Sequence, residues 1–359
     1  MLGTIDRNEA LERPAARKAF AHENLGSTFR VRRAQQSCFS LEQRLFVTAK
    51  TRLNPMATEA LSNDHSAPNE HRPSSSVLGD LRVMLAEVYG ARELLYQLAL
   101  RDVSIRYKQA VMGFGWAVLI PLLVVFSGVI VRYAMATLSG QALGVADIAG
   151  VATKSVPWSF FVGAIGFATG SLVSNMNLVT KVAFPRAVLP ISAIAAQAFD
   201  SAIALAALSV CLIASGTVRY GLALLWAPFL ILLLLAFTLA CGLLLSCANL
   251  FFRDVKYLVQ VFLTFGIFVT PVLFESTFLG PVGSRIMMVN PLAPILEGLR
   301  LSITQGANLL EPITAVVGGQ PVVVWSPLYL AWGIAASFVG LTLAAVLFQR
   351  LQYAFAESI

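Results

Sequence analysis

The sequence predicts an all-α membrane protein: six transmembrane helices per protomer, an N-terminal interfacial helix, and short re-entrant outer helices between spans five and six. Of its 359 residues, 57% are hydrophobic and only 13% are charged, whereas a soluble chain carries about 25% charged residues. Six apolar runs between residues 110 and 348 approach or exceed the ~20 residues with which a helix crosses a bilayer. Lipid is therefore the solvent for most of this chain.

The first 78 residues differ in composition, and we predict that residues 1–78 form a disordered polar tail. They are polar and mixed in charge, with loop-like stretches such as Pro73-Ser74-Ser75-Ser76. No apolar run in the tail fits the core of a signal peptide, so no cleaved signal is predicted. One hypothesis is that translation begins at Met56; a peptide mapped upstream of Met56 in the native protein would exclude it.

Residues 79–108 are predicted to form an amphipathic interfacial helix that precedes the membrane domain at 109–359. One face of this helix is apolar, with Ala91, Leu94, Leu95, Leu98 and Ile105. Three basic residues stand just before the first span, namely Arg101, Arg106 and Lys108. Such a helix lies flat in the headgroup region with its basic side chains on anionic lipid, although an ordinary soluble helix shows the same pattern.

The six spans are predicted at Ala110–Val131, Trp158–Val179, Ala187–Ser215, Leu222–Leu250, Leu258–Phe274 and Pro327–Phe348. An even number of spans places both termini on one side of the membrane. If that side is the cytoplasm, the short inner segments hold Arg101, Arg106, Lys108, Lys181, Arg186, Arg253, Lys256 and Arg350. The longer outer segments hold Arg132, Lys154, Arg219, Arg285 and Arg300. This positive-inside bias predicts that both termini are cytoplasmic.

The segment 275–326 does not fit a simple outer loop. Its apolar pieces, such as Ile286–Val289 and Pro291–Leu301, are too short to span, and its prolines break any continuous helix. We expect re-entrant helices that cap the outer mouth of a pathway, with their ends covered by protein or water. A partly folded outer loop packed on the spans is the alternative.

Two inner loops are candidate docking surfaces for a cytosolic partner. The first presents Lys181, Phe184, Pro185 and Arg186, and the second presents Arg253 and Asp254. A basic inner loop also serves topology alone, and Arg253 with Asp254 also fits a local ion pair at a helix end. Both alternatives stay open on the sequence.

Polar and aromatic residues mark a candidate pathway or gate, formed by Trp116, Tyr133, Trp158, Phe161, Asn290 and Glu297. Glu297 is placed near the outer boundary, within reach of a polar substrate. The aromatic rings either stack on sugars or form an interfacial belt, and the belt is favoured. Asp200 is the only carboxylate well inside a predicted span. It is interpreted as a hydrogen-bonded packing residue, with a proton relay as the less favoured alternative, since the other spans offer no obvious partner.

The chemistry that the sequence lacks narrows the function. All three histidines fall in the tail, and the four cysteines form no Cys-x-x-Cys pair, so neither catalysis by histidine nor a metal site is predicted. No Gly-x-x-x-x-Gly-Lys-Ser/Thr loop is present, so the chain does not bind ATP by that route. The net charge of +7 fits ends that face anionic lipid rather than nucleic acid. We expect a pathway subunit with no catalytic residue and no cofactor of its own.

A series of short motifs runs along most of the chain. They are Leu100-Arg101-Asp102-Val103-Ser104-Ile105-Arg106-Tyr107-Lys108, Gly113-Phe114-Gly115-Trp116, Trp158-Ser159-Phe160-Phe161, Phe184-Pro185-Arg186, Asn249-Leu250-Phe251-Phe252-Arg253-Asp254, Thr270-Pro271-Val272 and Asn290-Pro291-Leu292. Their order and spacing resemble the ABC-2 type permeases that export polysaccharides. The resemblance covers about residues 80–359, and the polar tail departs from it.

The resemblance implies an assembly and a cargo. Two copies of the chain would form a channel in the bacterial inner membrane, and two separate ATP-binding cassette subunits, which carry ATP and Mg²⁺, would bind from the cytosol. The loop with Phe184-Pro185-Arg186 would be the coupling helix, and helices within 275–326 would gate the exit. The cargo would be a lipid-linked glycan of O-antigen, capsular or teichoic-acid type. We expect its diphosphate to meet Arg101, Arg106 and Lys108.

Three alternatives stay open on the sequence. An ABC-2 permease for a drug or a small lipid would have a very similar sequence. A membrane-embedded transferase would need clustered acids or histidines near the interface, and the acids here are scattered. A proton-coupled carrier has only the isolated Asp200 in its favour.

Overall fold

The computed structural model describes residues 77–108, 112–138, 140, 142–181, 184–275, 279–317 and 320–358. These residues belong to one unit within Arg72–Ile359. The tail predicted at 1–78 and the hypothesis of a start at Met56 concern residues that lie almost entirely outside the described ranges, so both stay predictions.

Two helices open the described part of the chain, α1 at Val77–Gly90 and α2 at Arg92–Tyr107. The single helix predicted at 79–108 is thus divided just after Gly90, because a glycine inside a helix lowers its stability. Met84 of α1 and Leu98 of α2 are buried against the rest of the protein. That this pair lies on a membrane surface stays a prediction.

Five long apolar helices form the body of the protein: α3 at Gly115–Leu138, α4 at Val145–Ser174, α6 at Val188–Ala214, α7 at Trp226–Phe251 and α11 at Pro327–Ser358. The short helix α5, Met176–Lys181, stands between α4 and α6, and a 3₁₀ turn at Leu222–Leu225 leads into α7. The shortest of the five has 24 residues, or about 36 Å at 1.5 Å per residue. Because this length exceeds the ~30 Å of a bilayer's hydrocarbon core, the prediction of a predominantly helical, multi-pass membrane protein is confirmed.

The first two spans differ from their predicted limits. Helix α3 begins later than predicted because the chain turns just before it, where Gly113 has a φ of 50°, a left-handed conformation that favours glycine. Helix α4 begins much earlier than predicted and so contains Asp147 and Lys154. Lys154 was predicted to lie in an outer segment, but in the folded protein oppositely charged side chains compensate both charges.

The region of the predicted fifth span is more complex than one helix. Helix α8, Val255–Val269, has only 15 residues. It is followed by α9 at Gly280–Met287 and α10 at Leu292–Arg300, which continues as a π-helical turn at Leu301–Gln305. The segments on either side of the α9–α10 break are bent by 111°. The described residues thus contain five candidate spans, or six if the bent pair is one span, and the exact six-span layout stays a prediction.

A β-hairpin follows the bent pair and departs from the all-α prediction. Strands β1 at Ile313–Val317 and β2 at Gln320–Trp325 pair antiparallel. Both strands are rich in β-branched residues, which favour extended backbone. Trp325 is fully buried, and its indole N–H donates to the Leu309 carbonyl at 2.9 Å.

Two hydrophobic clusters lie near opposite ends of the long helices. One joins Leu98 of α2 with Leu172, Leu189, Leu243 and Phe348 of the body; we call this end, with α1, α2 and the α4–α6 connection, the interfacial end. The other joins residues of α4 and α7 with α10 and Trp325; we call this end, with α9, α10 and the hairpin, the re-entrant end. Helix α4 packs against α6 and α7 between them.

Candidate functional site

The α4–α6 connection holds the first set of predicted docking residues. Lys181 ends α5, and Phe184 packs against the hydrophobic cluster of the interfacial end. The Arg186 guanidinium donates to the Gln352 carbonyl of α11 at 2.6 Å, and burial lowers the pKa of Arg186. Pro185, between Phe184 and Arg186, is half-buried. The connection is therefore braced on the C-terminal helix, and its contact with a partner stays a prediction.

The α7–α8 turn holds the second set, Arg253 and Asp254, and both residues are exposed. Asn249 fixes the position of this turn. Its side-chain amide donates to the Thr169 carbonyl of α4 at 3.0 Å, and its side-chain oxygen accepts from the Lys256 N–H at 3.1 Å. The turn is thus tied to α4 while its two charged side chains face outward, as a docking surface requires.

A carboxylate inside α6 accepts hydrogen bonds from two consecutive residues of α2. Asp200 Oδ2 accepts from Arg106 at 2.5 Å, and Asp200 Oδ1 accepts from the Tyr107 hydroxyl at 2.6 Å. Arg106 also donates to Gln197 at 2.9 Å and lies 3.8 Å over the ring of Phe167. Burial, with the hydrogen bond to Asp200, raises the pKa of Tyr107, so its hydroxyl stays protonated. We call Arg106, Tyr107 and Asp200 the α2–α6 clamp.

The clamp supplies the partner that the sequence did not reveal for Asp200. The partners come from the helix before the first span, whereas the prediction considered an ionisable partner only within the other spans. The arrangement fits the interpretation of Asp200 as a hydrogen-bonded packing residue. It also places Arg106 differently from the prediction of a headgroup contact, because Asp200 compensates its charge and Phe167 covers one of its faces.

The other two predicted headgroup contacts lie closer to the surface. Arg101 pairs with Asp102 at 3.0 Å and donates to Asn175, at the end of α4, at 3.0 Å. Lys108 is exposed directly after α2. Of the three basic residues, Lys108 is therefore the most accessible to an anionic lipid, and the role of all three stays a prediction.

A buried ionic triad lies at the re-entrant end. Glu297 of α10 accepts from Arg300 at 2.5 Å, and its second oxygen lies 3.6 Å from the Lys154 ammonium of α4. The side chains of Lys154 and Glu297 are 1% and 0% exposed. Lys154 also donates to the Phe274 carbonyl at 3.1 Å. Charges this deeply buried persist only when they are paired, so the triad fixes α10 against α4.

Three further charges extend the triad towards α3. Glu275 lies 3.7 Å from Arg300 and 3.5 Å from Arg132, and Arg132 pairs with Asp147 at 2.6 Å. We call the set of six the outer ionic network, with Arg132, Asp147, Lys154, Glu275, Glu297 and Arg300. With every member ionised, its three positive and three negative charges cancel.

The predicted pathway residues do not share one environment. Glu297 is fully buried and cannot touch a passing substrate in this conformation, in contrast to the placement expected from the sequence. The Asn290 side chain donates to the Thr270 hydroxyl at 2.9 Å and accepts from the Leu292 N–H at 3.1 Å. It therefore joins the start of α10 to the residue that follows α8. Trp158 is buried, with Phe161 between it and Phe237 at ring-centroid distances of 6.1 and 5.9 Å.

Trp116 and Tyr133, by contrast, are exposed on α3. Two helices carry apolar faces that other described residues of the chain leave uncovered. On α3 the uncovered face includes Ile120, Phe126 and Ile130, and on α8 it includes Tyr257, Phe262, Phe265 and Phe268. Lipid or a second protein surface must cover rings that are exposed to this extent.

An apolar cavity of about 390 Å³ lies between α4, α6 and α7. Its walls include Val156, Phe160, Leu205, Leu212 and Leu234. Such a lining offers hydrocarbon contacts and few hydrogen bonds, so this cavity does not suit a hydrophilic polymer. Across the described ranges, no cluster of three or more His, Cys, Asp or Glu residues could hold a metal ion.

These features define an integral membrane subunit with a braced connection and an exposed charged turn at one end, and a helix pair held by buried ion pairs at the other. Residues 93–304 match the family described as ABC-2 type transporter. Since this match covers more than half of the chain, the chain belongs to the ABC-2 type transporter family. Membership implies that it works with an ATPase subunit and is itself a transport subunit, as the resemblance predicted.

Curated relatives agree with this assignment. Two proteins named O-antigen export system permease protein RfbA, both from Klebsiella pneumoniae, are 27% identical to this chain over 266 residues, which is 74% of this chain and 94% of each relative. A protein of the same name from Myxococcus xanthus is 27% identical over 247 residues, or 68% of this chain and 93% of that relative.

Proposed function

We propose that this chain is the membrane-spanning permease of an ABC exporter that moves a lipid-linked polysaccharide out of the cytoplasm across a bacterial inner membrane. ATP and Mg²⁺ act on a separate subunit. The observation that carries the proposal is the match along more than nine-tenths of relatives that are named O-antigen export permeases. An O-antigen type of cargo follows from those names, and capsular or teichoic-acid polymers are the alternatives within the same chemical class.

The exposed rings support a homodimer as the working unit. A hydrophilic polymer needs a wide polar passage, and the apolar cavity within one chain does not supply it. The uncovered surfaces of α3 and α8 are rich in aromatic residues, which are enriched at protein interfaces. In the proposed assembly, a second copy faces these surfaces, and the pathway runs between the two chains. Trp116 and Tyr133 of α3 would then line or border that pathway.

The interfacial end is assigned to the cytoplasm. It carries both the braced α4–α6 connection and the exposed Arg253 and Asp254, which together offer the ATPase a rigid surface with charge. The basic residues of the short connections at this end agree with the positive-inside rule. Lys108, and Arg101 two helical turns before it, would meet the diphosphate of the lipid-linked cargo at the inner leaflet. The outer ionic network then lies at the periplasmic side, where α9 and α10 gate the exit.

Co-purification and reconstitution test the proposal. The chain, extracted in mild detergent from its native host, is expected to bring an ATP-binding cassette ATPase with it. In proteoliposomes, the permease and ATPase together should translocate lipid-linked polysaccharide extracted from the host when ATP is added. The chain alone and the complex without ATP are the controls. Translocation by the chain alone, or translocation that requires a proton gradient instead of ATP, would contradict the proposal.

A further inference from the structure

We infer that the α2–α6 clamp is the joint through which movement of the interfacial helix reaches the transmembrane helices. Arg106 and Tyr107 at the end of α2 and Asp200 inside α6 are its parts. They act as positioning residues, since they hold helices together rather than touch the cargo. The inference rests on the proposed function, because a joint matters only if a partner ATPase moves the interfacial end.

The geometry of the clamp makes it a rigid connection. Both oxygens of Asp200 are used, one by Arg106 and the other by Tyr107. Two donors that are adjacent in sequence and bind the two oxygens of one carboxylate fix the direction of α2 as well as its distance from α6. A single ion pair on flexible side chains would leave the helix free to pivot.

The surroundings of the clamp strengthen this connection. Arg106 stacks on Phe167 of α4, and the Tyr107 ring lies 4.4 Å from Phe114, which in turn lies 6.4 Å from Phe199 of α6. Charged hydrogen bonds become stronger where aromatic rings displace water. Separating α2 from α6 would expose the charge of Asp200 within an apolar helix, which is energetically costly.

A third helix is joined at the same level. Gln197 of α6 accepts from Arg106, and Gly163 of α4 lies so close that a Cβ there would stand 2.7 Å from the Gln197 side-chain carbon. A displacement of α2 is therefore transmitted to α4 as well as to α6. Helix α4 continues, through Pro157, to Lys154 of the outer ionic network, so one continuous helix connects the clamp with the proposed gate.

The Arg101–Asp102 pair provides a matched control on the same helix. It also joins an arginine of α2 to a carboxylate, but both partners belong to α2. Removing that carboxylate changes the charge of the interfacial end without loosening α2 from α6. Asp102→Asn therefore makes the same chemical change as Asp200→Asn, but the contact that it removes lies within one helix and does not join two helices.

The test measures export per ATP hydrolysed in proteoliposomes that contain the permease and its ATPase. Asp200→Asn and Tyr107→Phe are compared with wild type and with Asp102→Asn. We expect ATP hydrolysis to continue within about twofold, while export per ATP falls at least about tenfold in Asp200→Asn, the smallest factor that the loss of one charged hydrogen bond corresponds to, and less in Tyr107→Phe. Asp102→Asn should keep the wild-type ratio.

A triple variant separates a joint from a simple neutralisation of charge. Arg106→Met with Tyr107→Phe and Asp200→Leu removes both charges and the hydroxyl bound to Asp200, and it keeps apolar volume, which restores stability when a pair serves burial alone. We expect this variant to unfold near the wild-type temperature and still to export poorly per ATP. Recovery of the wild-type ratio, or a parallel loss of hydrolysis and export in Asp200→Asn, would overturn the inference. Failure of wild type itself to export would instead contradict the proposed function.

Discussion

The α2–α6 clamp and the outer ionic network are built from the same kinds of side chain and differ in their access to water. In the clamp, the side chains of Arg106 and Asp200 are 20% and 10% exposed to solvent. In the network, the side chains of Lys154 and Glu297 are almost completely buried. Breaking a partly hydrated ion pair costs less free energy than breaking a fully buried one, which leaves an uncompensated charge inside the fold. The comparison indicates a partly hydrated joint at one end and a dry ionic core at the other.

The network itself has an inner and an outer part. Glu297, Arg300 and Lys154 form its buried triad, while Glu275 is 29% exposed and lies between Arg300 and Arg132 at 3.7 and 3.5 Å. If the re-entrant pair moves during export, the long contacts of Glu275 are those that can break first. The triad would then travel with α10 and α4 as one piece.

The largest effect is expected from Glu297→Ala. This substitution leaves Lys154 and Arg300 buried without their shared carboxylate, and breaking a buried ion pair in this way costs about 3–5 kcal/mol. Thermal unfolding of the purified protein in detergent measures the loss. Glu275→Ala is the matched control because it removes a more exposed carboxylate of the same network. Equal losses for the two variants would show that burial does not distinguish the triad.

Asp200→Ala at the clamp should cost less than Glu297→Ala. It removes charged hydrogen bonds from a partly hydrated site, for which about 1.5–3 kcal/mol is expected. The same unfolding experiment, at several salt concentrations, makes the comparison direct. Added salt should reduce the cost at the clamp more than at the triad, since screening acts on accessible charges. A salt response that is larger at the triad would reverse the proposed contrast.

Gly163→Ala tests the close approach of α4 and α6 at the clamp. The new Cβ would meet the Gln197 side chain, which must move and so weaken its hydrogen bond to Arg106. Overpacking of this kind costs about 1–3 kcal/mol. Gly166→Ala on the same helix is the control, because nothing lies within 4 Å of a Cβ at that position. Glycine-to-alanine exchange raises helix propensity at both sites, so a stabilised Gly163→Ala would argue against the close contact.

The smallest effect is expected from Asp102→Asn. The Arg101–Asp102 pair is partly exposed on both sides, and such pairs contribute less than about 1 kcal/mol. Arg101 also keeps its hydrogen bond to Asn175. An unfolding temperature close to that of wild type is therefore expected, and a loss as large as that of Asp200→Ala would remove the distinction between a contact within one helix and a contact between two.

Much of the fold was predictable because apolar length alone specifies a span. Helix α6 at Val188–Ala214 lies almost where the sequence placed it, since no buried charge near its ends obscured the pattern. Helix α4 was misplaced because Asp147 and Lys154 resemble loop residues until their partners are known. The hairpin was missed because short β-branched runs within 275–326 resemble fragments of apolar helix.

The sequence identified several residues of the candidate site but not the contacts between them. Asp200, Arg106 and Glu297 all stood out as charges beside or within apolar segments. Their partners did not, because Arg106 and Asp200 are separated by 94 positions, and no local periodicity reports a contact over that distance. Glu297 and Arg300 form a local i,i+3 ion pair, yet only the fold shows that Lys154 completes it and that all three are shielded from water.

The ends of the described chain also set an order for its biosynthesis. Arg350 of α11 donates to the buried Asp80 of α1 at 3.0 Å across a separation of 270 positions, and Met84 of α1 shares a hydrophobic cluster with Phe348. At about 5–20 residues per second, the ribosome supplies α11 roughly a quarter of a minute to one minute after α1. The first helix thus makes its final contacts only after the last helix has been synthesised, so completion of the chain and completion of the interfacial end coincide.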